Sequence, residues 1–182
     1  MSGVSRVSRE TAVLAIDLGT TEVKAGLVGL DGRLLGLARA GYATSVDPAT
    51  GRAEQDPDAW WGAIGLAVRE LVRLDLGDVA AIGIDGHGPT LVAVDAAGAA
   101  THPAIIWQDT RATAEQAELA AATGLHGWSL AGLPAALWLE RHVPAAAAAT
   151  CWYLATWDYV ALRLTGRAAT SLAAGQPFPD PA

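Results

Sequence analysis

The chain of 182 residues has little cysteine, methionine or phenylalanine, with one of each. The lone Cys151 excludes an internal disulfide framework and fits a reducing compartment. Cations are scarce as well: 12 Lys and Arg against 19 Asp and Glu give a net charge of −7. Without a Lys/Arg cluster, that balance speaks against a nucleic-acid partner. Long apolar runs are also missing. The most apolar stretch, residues 133–157, is broken by Glu140, Arg141, His142 and two prolines, so no membrane span is read there. The opening MSGVSRVSRE holds no apolar run before a small-residue cleavage site, so no secretory signal is expected. Residues 1–10 read instead as a disordered leader, and the chain as cytoplasmic.

What the sequence does contain is a globular composition, 52% hydrophobic with 17% charged. The length suits one sizeable core, or one lobe of something larger.

The N-terminal third reads as a β-meander. AVLAIDL (residues 12–18) is a short apolar run suited to a buried strand. EVKAGLVGL (22–30) follows after a tight turn, and Asp31-Gly32 is a two-residue hairpin signal leading into RLLGLARAGY. EQDPDAWWGAIGLAVRELVRL then opens a helix, with Asp56 as its cap, Pro57 in its first turn and Asp58 complementing the dipole. Trp60, Trp61, Ile64, Val68, Leu71 and Val72 recur at helical spacing on one face. VAAIGIDG (79–86) reads as a central strand, TLVAVD as a hairpin arm and PAIIW as another short strand. After Asp109 the chain turns helical as far as the C-cap Gly124. Pro134 opens a helix through Arg141, and WDYVALRLTG (157–166) is a further helix ending in glycine. The Pro-rich stretch 171–182 is expected to be irregular. This order implies an α/β fold with a mixed sheet and flanking helices.

Chemistry concentrates first in the turn between the two leading strands. Gly19, Thr20 and Thr21 offer a compact turn with two hydroxyls and free amides, an arrangement that makes an anion-binding concavity. Lys24 adds positive charge, and Asp17 at a strand end suits Mg²⁺ held through water. A plain hairpin whose threonines suit strand ends is the competing reading of the same residues.

IDLGTTEVKAGLVGLDGRLL resembles the first phosphate motif of the sugar-kinase, Hsp70 and actin superfamily. Four later stretches in order, AEQDPDAWW, VAAIGIDGHGPTLVAVDAAG, PAIIWQDTRA and WDYVALRLTG, narrow the resemblance to the FGGY carbohydrate kinases. That family includes xylulokinase, gluconokinase and glycerol kinase; the xylulokinase-like flavour is nearest. The resemblance covers residues 11–170 and implies part of the N-terminal domain of an RNase H-like fold, the actin-like ATPase type. It further implies ATP and Mg²⁺ as cofactors and a sugar or polyol as substrate. Asp17 would then face metal and phosphates, with Gly19, Thr20, Thr21 and Lys24 on the phosphates. Gly86, His87, Gly88, Trp107, Gln108, Asp109 and Arg111 would line the sugar side.

Plainer roles exist for several of these. Asp109 equally suits capping the next helix, His87 suits a satisfied loop histidine, and Asp158 suits a helix cap. Trp60 and Trp61 read as core aromatics. His102, His126, His142 and Cys151 show no metal spacing. Two departures from the family stand out. Where xylulokinases read Gly-Gln-Met-His-Gly this chain has GHGPT, which puts Pro89 at the motif's histidine position. The family's catalytic aspartate, in a Gly-Asp-Asn-type segment, is expected beyond Ala182, as is the second lobe, in cis or in trans. The isolated chain is therefore expected to be inactive. The other readings are a non-catalytic remnant that binds a sugar or partner, and one half of a split kinase.

Overall fold

The computed structural model describes residues 10–75 and 77–170. The expected leader and the Pro-rich tail lie almost wholly outside these residues. The described chain divides into two compact units, one drawn from Met1–Tyr42 and Gly62–Gly86, the other from Ala43–Trp61 and His87–Ala182.

The first unit is built on β1 (Thr11–Leu18), β2 (Glu22–Gly29), β3 (Leu34–Gly41) and β6 (Asp78–Gly86). Their order across the sheet is β3-β2-β1-β6. The meander is antiparallel, and β6 joins β1 in parallel. Gly32 turns the β2–β3 hairpin with φ of 84°, a left-handed conformation that costs glycine little. Alternation sets the buried face: Ala12, Leu14, Ile16 and Leu18 of β1 are buried, as are Val23, Ala25 and Leu27 of β2.

Helix α1 (Pro57–Arg73) carries the dividing line between the units. Asp56 caps it as expected, its carboxylate accepting the Asp58 N–H at 2.9 Å. Ala63, Ile64, Ala67 and Leu71 are buried. Val72 departs from the expected face, being 71% exposed. It follows Leu71 directly, and neighbouring helical positions lie about 100° apart around the axis, so both cannot point inward.

The expectation of a central strand over residues 79–86 is also corrected. Among the described residues β6 stands last in its sheet, and most of it is exposed, Val79 and Ile82 included. Its apolar run suits cover on both faces, as parallel strands generally have. The described residues do not supply that cover.

The second unit holds two small sheets, β4 (Ser45–Asp47), β5 (Arg52–Gln55) and β8 (Ala104–Ile105), and β7 (Val92–Val94) with β9 (Trp152–Leu154). Strands β4, β5 and β9 went unread in the sequence, whereas the equally short β7 and β8 lie within the apolar runs TLVAVD and PAIIW that marked them. Helices α2 (Thr113–Thr123), α3 (Leu133–His142), α4 (Pro144–Ala149) and α5 (Thr156–Thr165) complete it. Gly124 and Gly166 end α2 and α5 in left-handed conformation, as expected. Asp158 lies in the first turn of α5 and accepts the Thr170 hydroxyl at 2.9 Å. Burial raises its pKa despite that bond. Leu91, Ala93, Ile105 and Leu139 form a core under Trp138 and the alanines of α3 and α4. Trp60 is fully buried, donates its indole N–H to Gln55 at 2.9 Å and meets the Tyr159 ring edge-on.

Trp60→Ala is expected to cost about 3–5 kcal/mol in urea denaturation, because it leaves a cavity where a fully buried indole stood. Val72→Ala serves as the control and should stay within about 0.5 kcal/mol of the parent.

Candidate functional site

The first cluster lies in the first unit, where β1 hands over to β2. Asp17 and Lys24 are register partners, and Lys24 Nζ lies 3.2 Å from Asp17 Oδ2, both side chains about half exposed. Lys24 is the sole lysine among the 182 residues. Between the two, the Gly19 N–H donates to Glu22 O at 3.1 Å, and a Cβ on residue 19 would sit 3.1 Å from that oxygen. The turn therefore has little room for any residue but glycine. Thr21 is exposed beside it.

Tyr42, at the end of β3, holds this turn from the side. Its N–H donates to Thr21 O at 3.2 Å and its hydroxyl donates to Gly19 O. Burial, and then the negative charges of Asp17 and Glu22, push the Tyr42 phenol up, so it stays protonated and remains a donor. Glu22 pairs with Arg39 at 2.6 Å. Asp85 stands beside Asp17 in the parallel β1–β6 register and is exposed, which adds a second carboxylate to this end of the sheet. Sequence reading passed over Asp85 because its neighbour on the next strand is 68 positions away. Gly86 ends the same strand.

The second cluster lies in the second unit. His87 Nδ1 sits 2.9 Å from Thr90 Oγ1, its carbonyl accepts the Thr156 hydroxyl at 2.5 Å, and Trp60 meets its ring edge-on. Gly88 approaches the Trp157 ring, 3.5 Å from where a Cβ would stand. Trp107 and Gln108 are exposed, whereas the Asp109 side chain is 2% exposed and that of Arg111 13%.

Asp109 does not cap α2. Its carboxylate accepts the Ala53 N–H at 2.8 Å and the Arg111 N–H at 2.9 Å. The Arg111 guanidinium bridges Asp109 at 2.7 Å and Glu54 at 2.6 Å, and lies over the Trp138 ring at 4.2 Å. Burial alone would lower the Arg111 pKa; the bonds from Asp109 and Glu54 outweigh it and raise it. The sequence left this pairing to loop geometry, and the loop supplies it.

A cavity of about 330 Å³ opens beside this ion pair. Trp107 and Asp109 line it, together with Pro89, Gln116 and Trp128. His87, Gly88, Gln108 and Arg111 are not among its lining residues. Sequence reading missed Gln116 and Trp128. Trp128, set between Gly127 and a helix-opening proline, is an exposed-aromatic signal that motif matching ignored. Among the described residues no group of three or more His, Cys, Asp or Glu side chains suits a metal ion.

Two outcomes follow from these contacts. Arg111→Ala takes the guanidinium from two nearly buried carboxylates, leaving Asp109 with two backbone N–H donors and Glu54 with Arg52 at 3.2 Å, and is expected to cost about 3 kcal/mol in chemical denaturation. Tyr42→Phe tests the turn. A phenol whose folded pKa lies above its usual 10.0 stabilises the fold below that pH, and the stability is lost as pH climbs beyond it. Stability of the Phe variant should therefore fall less steeply than the parent's as pH rises above about 10, and run parallel to it below, as measured by urea titrations at successive pH values.

Residues 12–175 match the N-terminal domain of the FGGY family of carbohydrate kinases. The xylulose kinase of Escherichia coli strain K12 is 35% identical over 182 residues, which is 92% of this chain and 36% of that protein. A glycerol kinase of Trichlorobacter lovleyi is 35% identical over 74% of this chain and 29% of its own length. Among solved structures, the xylulose kinase from Rhodospirillum rubrum superposes with a TM-score of 0.75 at 30% identity, covering 86% of this chain and 35% of its own. The chain thus spans about a third of the length of the relatives it matches. Its mixed sheet and flanking helices have the actin-like, RNase H-like fold of these sugar kinases. The chain belongs to the FGGY family of carbohydrate kinases and carries that family's N-terminal domain.

Proposed function

We propose that this chain is the N-terminal part of an ATP-dependent carbohydrate kinase, which moves the γ-phosphoryl of MgATP to a hydroxyl of a sugar or polyol. The observation that carries the reading is the β1–β2 turn. Family membership supplies the reaction class, and this turn supplies a place for phosphate. Gly19 keeps side chains out of the turn, Tyr42 fixes its carbonyls, and the sole lysine stands at its edge. The Gly19 N–H, expected to be free, is committed to Glu22 O, so an anion here would be met by the Thr20 and Thr21 hydroxyls and Lys24 beside a turn of fixed shape.

The donor set also fits a magnesium ion. Asp17 is a half-exposed carboxylate at a strand end, and Mg²⁺ is commonly held by one or two carboxylates plus waters and phosphate oxygens. When bound, the ion would neutralise charge on the phosphates. Asp17 would hold it, while Thr20, Thr21 and Lys24 would bind and orient the phosphate chain.

Acceptor binding falls to the cavity beside Trp107. Proton removal from the acceptor hydroxyl needs a base within hydrogen-bond reach. Asp109, the one carboxylate lining the cavity, is committed to Arg111 and two backbone N–H groups, so its work is to hold the wall in shape. The base and the second lobe are assigned to the remaining two thirds of the protein, in cis or in trans. Gly86, His87, Gly88 and Gln108 remain in the reading as acceptor-side residues outside the cavity wall. Residues 11–170 form the working domain, and the cytoplasm, where ATP is made available, is its proposed location. No helix among the described residues is long and apolar enough to cross a membrane.

Because Lys24 is the only lysine, an amine-directed acylating reagent reads this site alone apart from the chain's α-amino group. MgATP, or magnesium pyrophosphate, is expected to slow acylation of Lys24 about tenfold at roughly ten times its Kd. The α-amino group should react at an unchanged rate, and peptide mass spectrometry reads both. Equal acylation of Lys24 with and without nucleotide and pyrophosphate would remove the phosphate role of the turn.

A further inference from the structure

Trp128 is 70% exposed, an uncommon state for the largest apolar side chain. It stands on a short 3₁₀ turn, Gly127–Leu130, anchored by the fully buried Leu130. The first residue of that turn, Gly127, and the residue that follows it, Ala131, both have positive φ, 55° and 47°. For alanine this conformation is strained, and such strain gathers at ligand clamps and active sites. Both residues line the same cavity as Trp128 and Trp107. Two half-exposed or exposed indoles therefore share one cavity of about 330 Å³, at the small end of the range for ligand pockets.

The charge of this cavity is as informative as its aromatics. Asp109 is the single charged residue among those lining it, and Arg111 neutralises Asp109 from behind. Arg111 itself is shared with Glu54, so no positive charge is left over. The remaining polar lining group of note is the exposed amide of Gln116. A carboxylate or phosphate entering this cavity would give up hydration without meeting a cation. An uncharged polyol gives up only hydroxyl hydration, and its C–H face meets flat apolar rings.

We propose that Trp128 is a second carbohydrate-stacking wall of the acceptor pocket beside Trp107, and that this pocket selects an uncharged sugar or polyol over an anionic one. This rests on the kinase reading of the same cavity and adds to it a specificity-determining residue and a substrate class. Trp128 touches the acceptor; it takes no part in proton or phosphoryl transfer.

The test is a ligand-observed NMR titration of the 182-residue chain with D-glucitol, xylitol and D-gluconate. D-glucitol and D-gluconate have equal carbon number and differ at one end in charge. The variants are Trp128→Ala, Trp128→Phe and Trp107→Ala. Trp128→Ala is expected to weaken polyol binding roughly two- to tenfold, while Trp128→Phe, which keeps a flat ring, stays within about twofold of the parent. D-gluconate is expected to bind the parent about tenfold or more weakly than D-glucitol. Polyol binding lost in Trp107→Ala but untouched in Trp128→Ala would overturn the stacking role. Gluconate binding as tightly as glucitol would overturn the substrate class. Absence of binding for any of the three ligands to the parent chain would instead overturn the acceptor-pocket reading itself, and this proposal with it.

Discussion

The second unit depends on one guanidinium. Arg111 ties Glu54 of β5 to Asp109 of the loop after β8, and its flat face rests on Trp138 of α3. Three segments far apart in sequence thus meet through a single side chain. Taking these charges from water is costly, and only close, multiple bonds offset the penalty. Here the bonds are close: both carboxylates lie within 2.7 Å of Arg111 nitrogens, and Asp109 gains two backbone N–H donors besides. Arg suits this position better than Lys because its planar fork serves two carboxylates at once while the same plane stacks on indole. The arrangement fixes the wall of the cavity, and because its charges are spent internally the cavity itself is left without a cation.

The first unit solves a different problem with backbone instead of charge. A turn that receives an anion must keep its amides outward and its shape constant. The Asp17–Lys24 pair straddles the turn at the sheet end, and Tyr42 engages the carbonyls of both Gly19 and Thr21. With its carbonyls tied back, the turn has fewer ways to collapse on itself. The phenol's raised pKa follows from burial and from two nearby carboxylates, and it ensures that the clamp remains a donor at working pH. Around the turn Asp17 is matched by Lys24 and Glu22 by Arg39, while Asp85 adds an exposed carboxylate, so the turn offers no surplus of positive charge. A ligand there must therefore be recognised by geometry and by any cation it brings.

Much of the fold was legible because its signals are local. The meander announced itself through its short apolar run at residues 12–18 and the Asp31-Gly32 turn, and α1 through Asp56, Pro57 and helical spacing. The helix-ending glycines at 124 and 166 were legible for the same reason: left-handed closure is a property of a few consecutive residues. Strands β5 and β9 were not, since three or four residues carry no periodicity and exist only because a distant segment pairs with them; β7 and β8 were legible only through the longer apolar runs that hold them. The placement of β6 failed for a related cause. Its apolar run marks a strand suited to burial on both faces, yet burial is decided by neighbours, and the described residues place a strand on one side of it alone.

The sequence by itself determined the family, through five ordered motifs, and with it the turn at residues 19–21 as a candidate for phosphate. Motif chemistry resides in residue type and spacing, which one-dimensional reading preserves. Only the tertiary structure decided which candidate side chains remain available. It spent Asp109 and Arg111 on each other and on Glu54, brought Trp128 to the cavity of Trp107, set Asp85 beside Asp17, and assigned Tyr42 to the turn. A hydrogen bond or ion pair consumes a group's capacity to bind anything else, which is what happened to Asp109, Arg111 and Tyr42. Trp128 and Asp85 were placed by chain folding alone, which brings together side chains many residues apart in sequence.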